Sequence, residues 1–159
     1  MKIFRVCPAP ANTLDFWSYN KLFELSFSDQ IRLLRRENLI LPGGWAEVMG
    51  QLGFEVFETN YNDVYLQSGW ARDNGSVDLI FKDNFLLEIL IEQIRVFEPD
   101  IILFYAGGLM HVERAGRDEI RKAAPNAFYV GYWGDELPPK TTYSKYFGDL
   151  DYVFTSSER

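Results

Sequence analysis

The chain has 159 residues, 47% apolar and 25% charged, a balance that excludes disorder, collagen and coiled coil. Its net charge of −7 argues against a surface built to neutralise nucleic-acid phosphates. The single cysteine leaves no internal disulfide, and no apolar run reaches the ~18 residues of a membrane span. Lys2 and Arg5 interrupt what would have to be a signal core, so the expected setting is cytoplasmic.

In chain order, Ile3–Cys7 is a short apolar run stopped by Pro8-Ala9-Pro10, and it reads as a first strand buried on both faces. Asn12–Asp15 reads as a turn. The aromatic stretch from Phe16 to Phe27 reads as core or as a partner face. A helix is expected over 28–37, with Ser28 as its cap and Arg32, Arg35 and Arg36 on a solvated outer face. Trp45, Val48, Met49 and Leu52 follow helical spacing, and Gly53 falls where a left-handed cap would stand.

Phe54–Glu58 alternates and reads as a second strand. Residues 60–77 are polar and turn-rich, with room for one short helix. Leu79–Phe97 reads as one long helix. Ile101–Tyr105 is uninterrupted and apolar, as a central parallel strand should be. A helix over Glu113–Ala124, a strand over 127–132 and a last strand over 150–154 complete the pattern. Strands alternate with helices, so the expected fold is a doubly wound parallel α/β sheet, Rossmann-like, of about five strands in one domain. The last strand ends five residues before Arg159 with no helix to cover it, which reads as one part of a longer protein.

In such sheets ligands bind beyond the carboxyl ends of the strands. The loops after the strands carry no G-x-G-x-x-G, no P-loop, no acidic pair of a phospho-acceptor domain and no Asp-x-His-x-x-Gly. Most small autonomous α/β modules are thereby disfavoured. Gly107-Gly108 either lets a backbone pass close to a ligand or makes a tight turn. His111 is the only histidine, placed to act as a base or to bind a hydroxyl or phosphate, with a surface or capping histidine as the plainer reading. Trp133-Gly134-Asp135-Glu136 puts an aromatic platform and two carboxylates in one loop, and a solvated loop with Trp133 partly in the core fits equally. No second histidine or cysteine cluster accompanies His111, so no metal site is expected. Cys7 reads as an inert core thiol.

Several segments together resemble one family. Gly44-Gly-Trp-Ala-Glu-Val-Met-Gly-Gln-Leu-Gly53-Phe-Glu-Val56 resembles the helix that leads into the second strand of GT-B glycosyltransferases. Leu66–Gly75, Leu90–Ile101, Arg121-Lys122-Ala123-Ala124-Pro125 and Gly148–Ser156 resemble the N-terminal half of CgeB-like (spore-maturation-type) bacterial glycosyltransferases. The resemblance implies the N-terminal half of a GT-B fold, in which this domain binds a sugar or other hydroxyl acceptor. A donor-binding domain would follow Arg159 and take the nucleotide sugar, with no metal or other cofactor in this half. It also implies that His111 or Asp135 serves as base on the acceptor hydroxyl, while Gly107, Gly108, Trp133 and Glu136 form the acceptor cleft. The chain alone would be inactive. The alternative expectation is a non-catalytic receiver-like or flavodoxin-like interaction module, acting through the aromatic 16–27 segment by self-association or partner binding.

Overall fold

The computed structural model describes residues 1–20, 22–40, 44–105, 112–134 and 146–156, with only the backbone of Leu14, Tyr19 and Asn20. Five parallel strands form one sheet: β1 (Lys2–Cys7), β2 (Glu55–Asn60), β3 (Ile101–Tyr105), β4 (Phe128–Trp133) and β5 (Tyr152–Thr155). Their order is β2-β1-β3-β4-β5, so the direction of winding reverses between β1 and β3. The expected doubly wound α/β class is therefore the observed one.

Six helices of the described residues surround the sheet: α1 (Thr13–Asn20), α2 (Phe27–Arg36), α3 (Trp45–Gln51), α4 (Val64–Asp73), α5 (Phe85–Phe97) and α6 (Arg114–Ala123). On one face Phe4, Val6, Ile102, Phe104 and Tyr129 pack with Leu90, Ile94 and Ile120 of α5 and α6. Cys7, on the opposite face, packs with Trp17, Ile31 and Leu34 of α1 and α2. Helix α4 lies against β2, between α2 and α5.

Several boundaries depart from expectation for identifiable reasons. The turn expected at Asn12–Asp15 is the first turn of α1, with Phe16 N–H donating to the Asn12 carbonyl at 3.1 Å. Ser26, not Ser28, caps α2: its hydroxyl accepts from Asp29 N–H at 3.2 Å. The polar stretch after β2 holds ten-residue α4, because Asp63 caps it from both Tyr65 and Leu66 N–H at 3.1 Å. The long helix expected over 79–97 is a 3-10 turn, Val77–Phe81, followed after Lys82-Asp83-Asn84 by α5. Gly53 does adopt the left-handed region, at φ 88°. Glu98 does the same at φ 51°, ending α5 ahead of Pro99.

The aromatic stretch is core in part: Trp17 is fully buried and the half-buried Phe16, Leu22 and Phe27 pack against its cluster, while Phe23 is exposed. Cys7 is fully buried as expected. Burial pushes its thiol up to about 12, against the pull of Arg5 and with a smaller push from Glu58. Of the three arginines on α2, Arg35 is not simply solvated: it pairs with Glu58 at 2.9 Å and Glu47 at 3.3 Å.

The one charge in the apolar run Ile3–Cys7, Arg5, lies in the middle of β1 and is fully buried. Parallel register puts Arg5 beside Glu58, and the two form an ion pair at 2.5 Å. The Arg5 guanidinium sits between the rings of Trp45 and Tyr105, 4.7 and 4.6 Å from their centroids.

Candidate functional site at the carboxyl edge of the sheet

Residues 61–63 leave β2 at the carboxyl edge, and α5 and α6 begin there, since both run back against the strands. Tyr61 is tied to the end of β1 by its N–H, which donates to the Cys7 carbonyl at 2.9 Å. A pocket of about 430 Å³ opens at this edge, lined by Tyr61, Asp83, Asn84, Leu87, Glu113 and Gly116 among others. The first turns of α5 and α6 both face it, and neither Asn84 nor Glu113 caps its helix with a side-chain hydrogen bond. At α5 the Phe85 N–H already donates to the Lys82 carbonyl at 3.1 Å and the Leu87 N–H to the Asn84 carbonyl at 2.9 Å, so the backbone donors turned to the pocket come mainly from the first turn of α6, whose dipole favours negative charge.

Asp83 and Glu113 counter that preference. With both carboxylates at the rim, the pocket combines N–H donors with carboxylate acceptors rather than presenting a purely cationic phosphate cradle. Burial, reinforced by Glu113, raises the Tyr61 phenol above its ordinary value, so it stays a neutral donor and acceptor. Donors and acceptors side by side, flanked by the apolar Phe85 and Leu87, suit a neutral ligand rich in hydroxyl groups. Helices α5 and α6 approach closely at Gly116, where an added Cβ would meet the Leu87 methyls at 3.3 Å.

Beneath this edge a buried polar network holds the exits of β1 and β2. The Trp17 indole N–H donates to Asp63 at 2.7 Å. Three hydrogen bonds to Asp63 favour its charged form, yet burial outweighs them and raises its carboxyl above the ordinary value. Gln93 donates to Gln67 at 2.9 Å, and Gln67 donates to Thr59 at 2.6 Å and to the Asn60 carbonyl at 2.8 Å.

Of the residues singled out from sequence, Gly107, Gly108, His111, Asp135 and Glu136 lie outside the described residues. Trp133 is the last residue of β4 and is half-buried, its ring edge-on to Phe147 at 5.6 Å. It packs against the core below the edge. Tyr61 falls in the exit loop Asn60–Asp63, where the strand-exit rule expects a ligand, whereas nothing in the sequence marks Asp83 or Glu113. No local pattern joins the three, because a residue after β2, one before α5 and one before α6 meet only once the sheet is wound.

Two segments of the family resemblance have structural work. Arg117 grips Asp149 through two hydrogen bonds, at 2.7 and 3.0 Å, and the Val112 carbonyl at 2.7 Å. Arg121 donates to the Asp149 carbonyl at 2.7 Å and covers the Tyr129 ring at 3.9 Å. Asp151 accepts from Tyr129 N–H at 2.8 Å. Together these contacts set β5 in register against β4. Among the described residues no group of histidine, cysteine and carboxylate side chains could hold a metal ion, and no helix is long and apolar enough to cross a membrane.

No family model, curated protein or solved structure matches the chain.

Proposed function

We propose that this chain is the acceptor-binding domain of a nucleotide-sugar-dependent glycosyltransferase, the donor being held by a second domain. The observation that carries the reading is the pocket at the carboxyl edge, whose mixed N–H, phenol and carboxylate lining suits a polyhydroxyl ligand. The sequence resemblance supports it from a separate direction, and the location follows the rule for doubly wound sheets. His111 or Asp135 accepts the proton of the acceptor hydroxyl as its oxygen attacks the anomeric carbon. The bond from that carbon to the diphosphate breaks, and the diphosphate leaves with the electron pair on the donor side.

The test is saturation-transfer NMR on the 159-residue chain with a panel of mono- and disaccharides, alongside titration with nucleotide sugars. Saccharide signals that fade in Glu113→Ala and Tyr61→Phe, with no nucleotide-sugar binding at millimolar concentration, are the expected result. Nucleotide-sugar binding at millimolar or tighter, or no saccharide signal, overturns the proposal. One observation favours a second reading, a non-catalytic interaction module: a broad apolar area of the sheet is open to solvent. In the aromatic 16–27 segment Trp17 is buried, Phe16 and Phe27 are half-buried and Phe23 is exposed.

A further inference from the structure

The crossovers from β2 to β3, β3 to β4 and β4 to β5 carry the chain across β1 and then onward in one direction. Right-handed connections therefore place their helices on one face of the sheet. Helices α1 to α3, which join β1 to β2, cover the other face only near those two strands. Over β3, β4 and β5 that second face carries no helix of the described residues. It forms an open groove of about 1040 Å³, lined by Ile101, Leu103, Tyr105, Val130, Tyr132 and Phe154 among others. Phe128, Tyr152 and Phe154, all in its lining, are each more than half exposed, and Asp100 is its one charged lining residue among those described.

A second apolar surface adjoins it. Trp45, the first residue of α3, forms part of the groove wall. Val48 and Leu52 continue from Trp45 at i+3 and i+7, along one side of that helix. They are 54% and 67% exposed, although the sequence pattern marks them for burial. Only Ala46 of α3 is buried. Met1, another wall of the groove, accepts a hydrogen bond from Glu55 N–H just beyond α3, so groove and helix stripe lie next to each other.

We infer that these two surfaces are halves of one self-complementary interface, closed by a second copy of this chain. In a twofold dimer the α3 stripe of each copy lies in the open groove of the other, so both uncovered surfaces are buried at once. The dimensions agree. A helix is about 10 Å across, two strand spacings from β3 to β5 are about 10 Å, and α3 is about 10 Å long against about 16 Å for β3. The lining, rich in Tyr and Phe with Trp45 and Met1 and nearly free of charge, has the composition of a homodimer interface. Such an interface needs about 800 Å² from each partner, an area within reach of a three-strand sheet face plus a helix stripe.

Sedimentation equilibrium of the 159-residue chain reads the result. A reversible dimer is expected, and it tightens as salt rises from about 0.02 to 0.5 M, because each copy carries a net charge of −7. Phe154→Asp and Leu52→Glu, one on each surface, should each weaken the dimer at least about thirtyfold, with circular dichroism unchanged. Leu52 is exposed just past the end of α3, so that variant keeps the test intact if Phe154→Asp fails to fold. Oxidising an equimolar mixture of Val48→Cys and Phe154→Cys chains should give a cross-linked heterodimer, Cys7 being buried. A monomer at every concentration overturns the inference. So does a dimer weakened by Phe154→Asp but indifferent to Leu52→Glu, which would mean sheet packed on sheet.

Discussion

Replacing Glu58 by Ala removes the carboxylate paired with the Arg5 guanidinium inside the sheet. Arg5 is fully buried and the Glu58 side chain is 2% exposed, so the charge left behind has no route to water. Breaking a buried pair on one side costs about 3–5 kcal/mol, far more than the pair contributes relative to an apolar substitute. The rings of Trp45 and Tyr105 offset about 1–2 kcal/mol at best. Arg35 also loses its contacts with Glu58, but it is 31% exposed, keeps Glu47, and adds little. Glu58→Ala is therefore expected to lose about 3–4 kcal/mol in urea unfolding, about 10 °C in Tm for a chain of this size. The double variant Arg5→Met plus Glu58→Leu should recover most of that loss, since it removes the stranded charge and fills the space. A cost below about 1 kcal/mol for Glu58→Ala refutes the reasoning. So does a double variant no more stable than Glu58→Ala.

Further outcomes follow from other buried groups. Asp63→Ala removes the α4 cap and strands the Trp17 indole N–H, so it should cost about 2–4 kcal/mol in chemical unfolding, and a loss under about 1 kcal/mol counts against both roles. The folded state holds the Cys7 proton more tightly than the unfolded chain, whose thiol titrates near 9.0. The associated stability, about 4 kcal/mol, is complete below pH 9 and lost as the pH climbs toward 12. Cys7→Ala should flatten that alkaline fall, and native Cys7 should resist a disulfide reagent at pH 8 until the chain is unfolded. Gly69→Ala puts a methyl onto the amide of Gln30, which is fully buried, and should cost about 1–3 kcal/mol by thermal melting.

The strands were legible because buried parallel strands are short apolar runs, and Ile101–Tyr105 is the clearest of them. Their alternation with helices was enough for the fold class. Helices α1 and α4 were not legible for different reasons. The side of α1 that packs inward is carried by Trp17, within a stretch aromatic on every side, so no periodic stripe stands out. Helix α4 buries Gln67, whose polarity is matched by Thr59, Asn60 and Gln93, partners up to 26 residues away. The buried pairing of Arg5 was not legible because its partner lies 53 residues on. The pattern Lys-Ile-Phe-Arg-Val against Glu-Val-Phe-Glu becomes informative only after the two strands are set in parallel register. The candidate pocket follows the same logic: Tyr61, Asp83 and Glu113 are ordinary one by one, and winding the sheet brings them together.

The strand order also has a consequence for how the chain is made. Of the five strands β1 leaves the ribosome first, yet in its pairing with β3 Ile3 lies opposite Ile101, 98 residues later. At ordinary translation rates that interval is roughly 5–20 s, during which one edge of an apolar strand stays unpaired. β2 can dock meanwhile, but the sheet cannot grow toward β4 and β5 until β3 arrives. A pause or a break in synthesis before Tyr105 would therefore release a fragment whose apolar strand has an open edge, the form of this protein most in need of a chaperone.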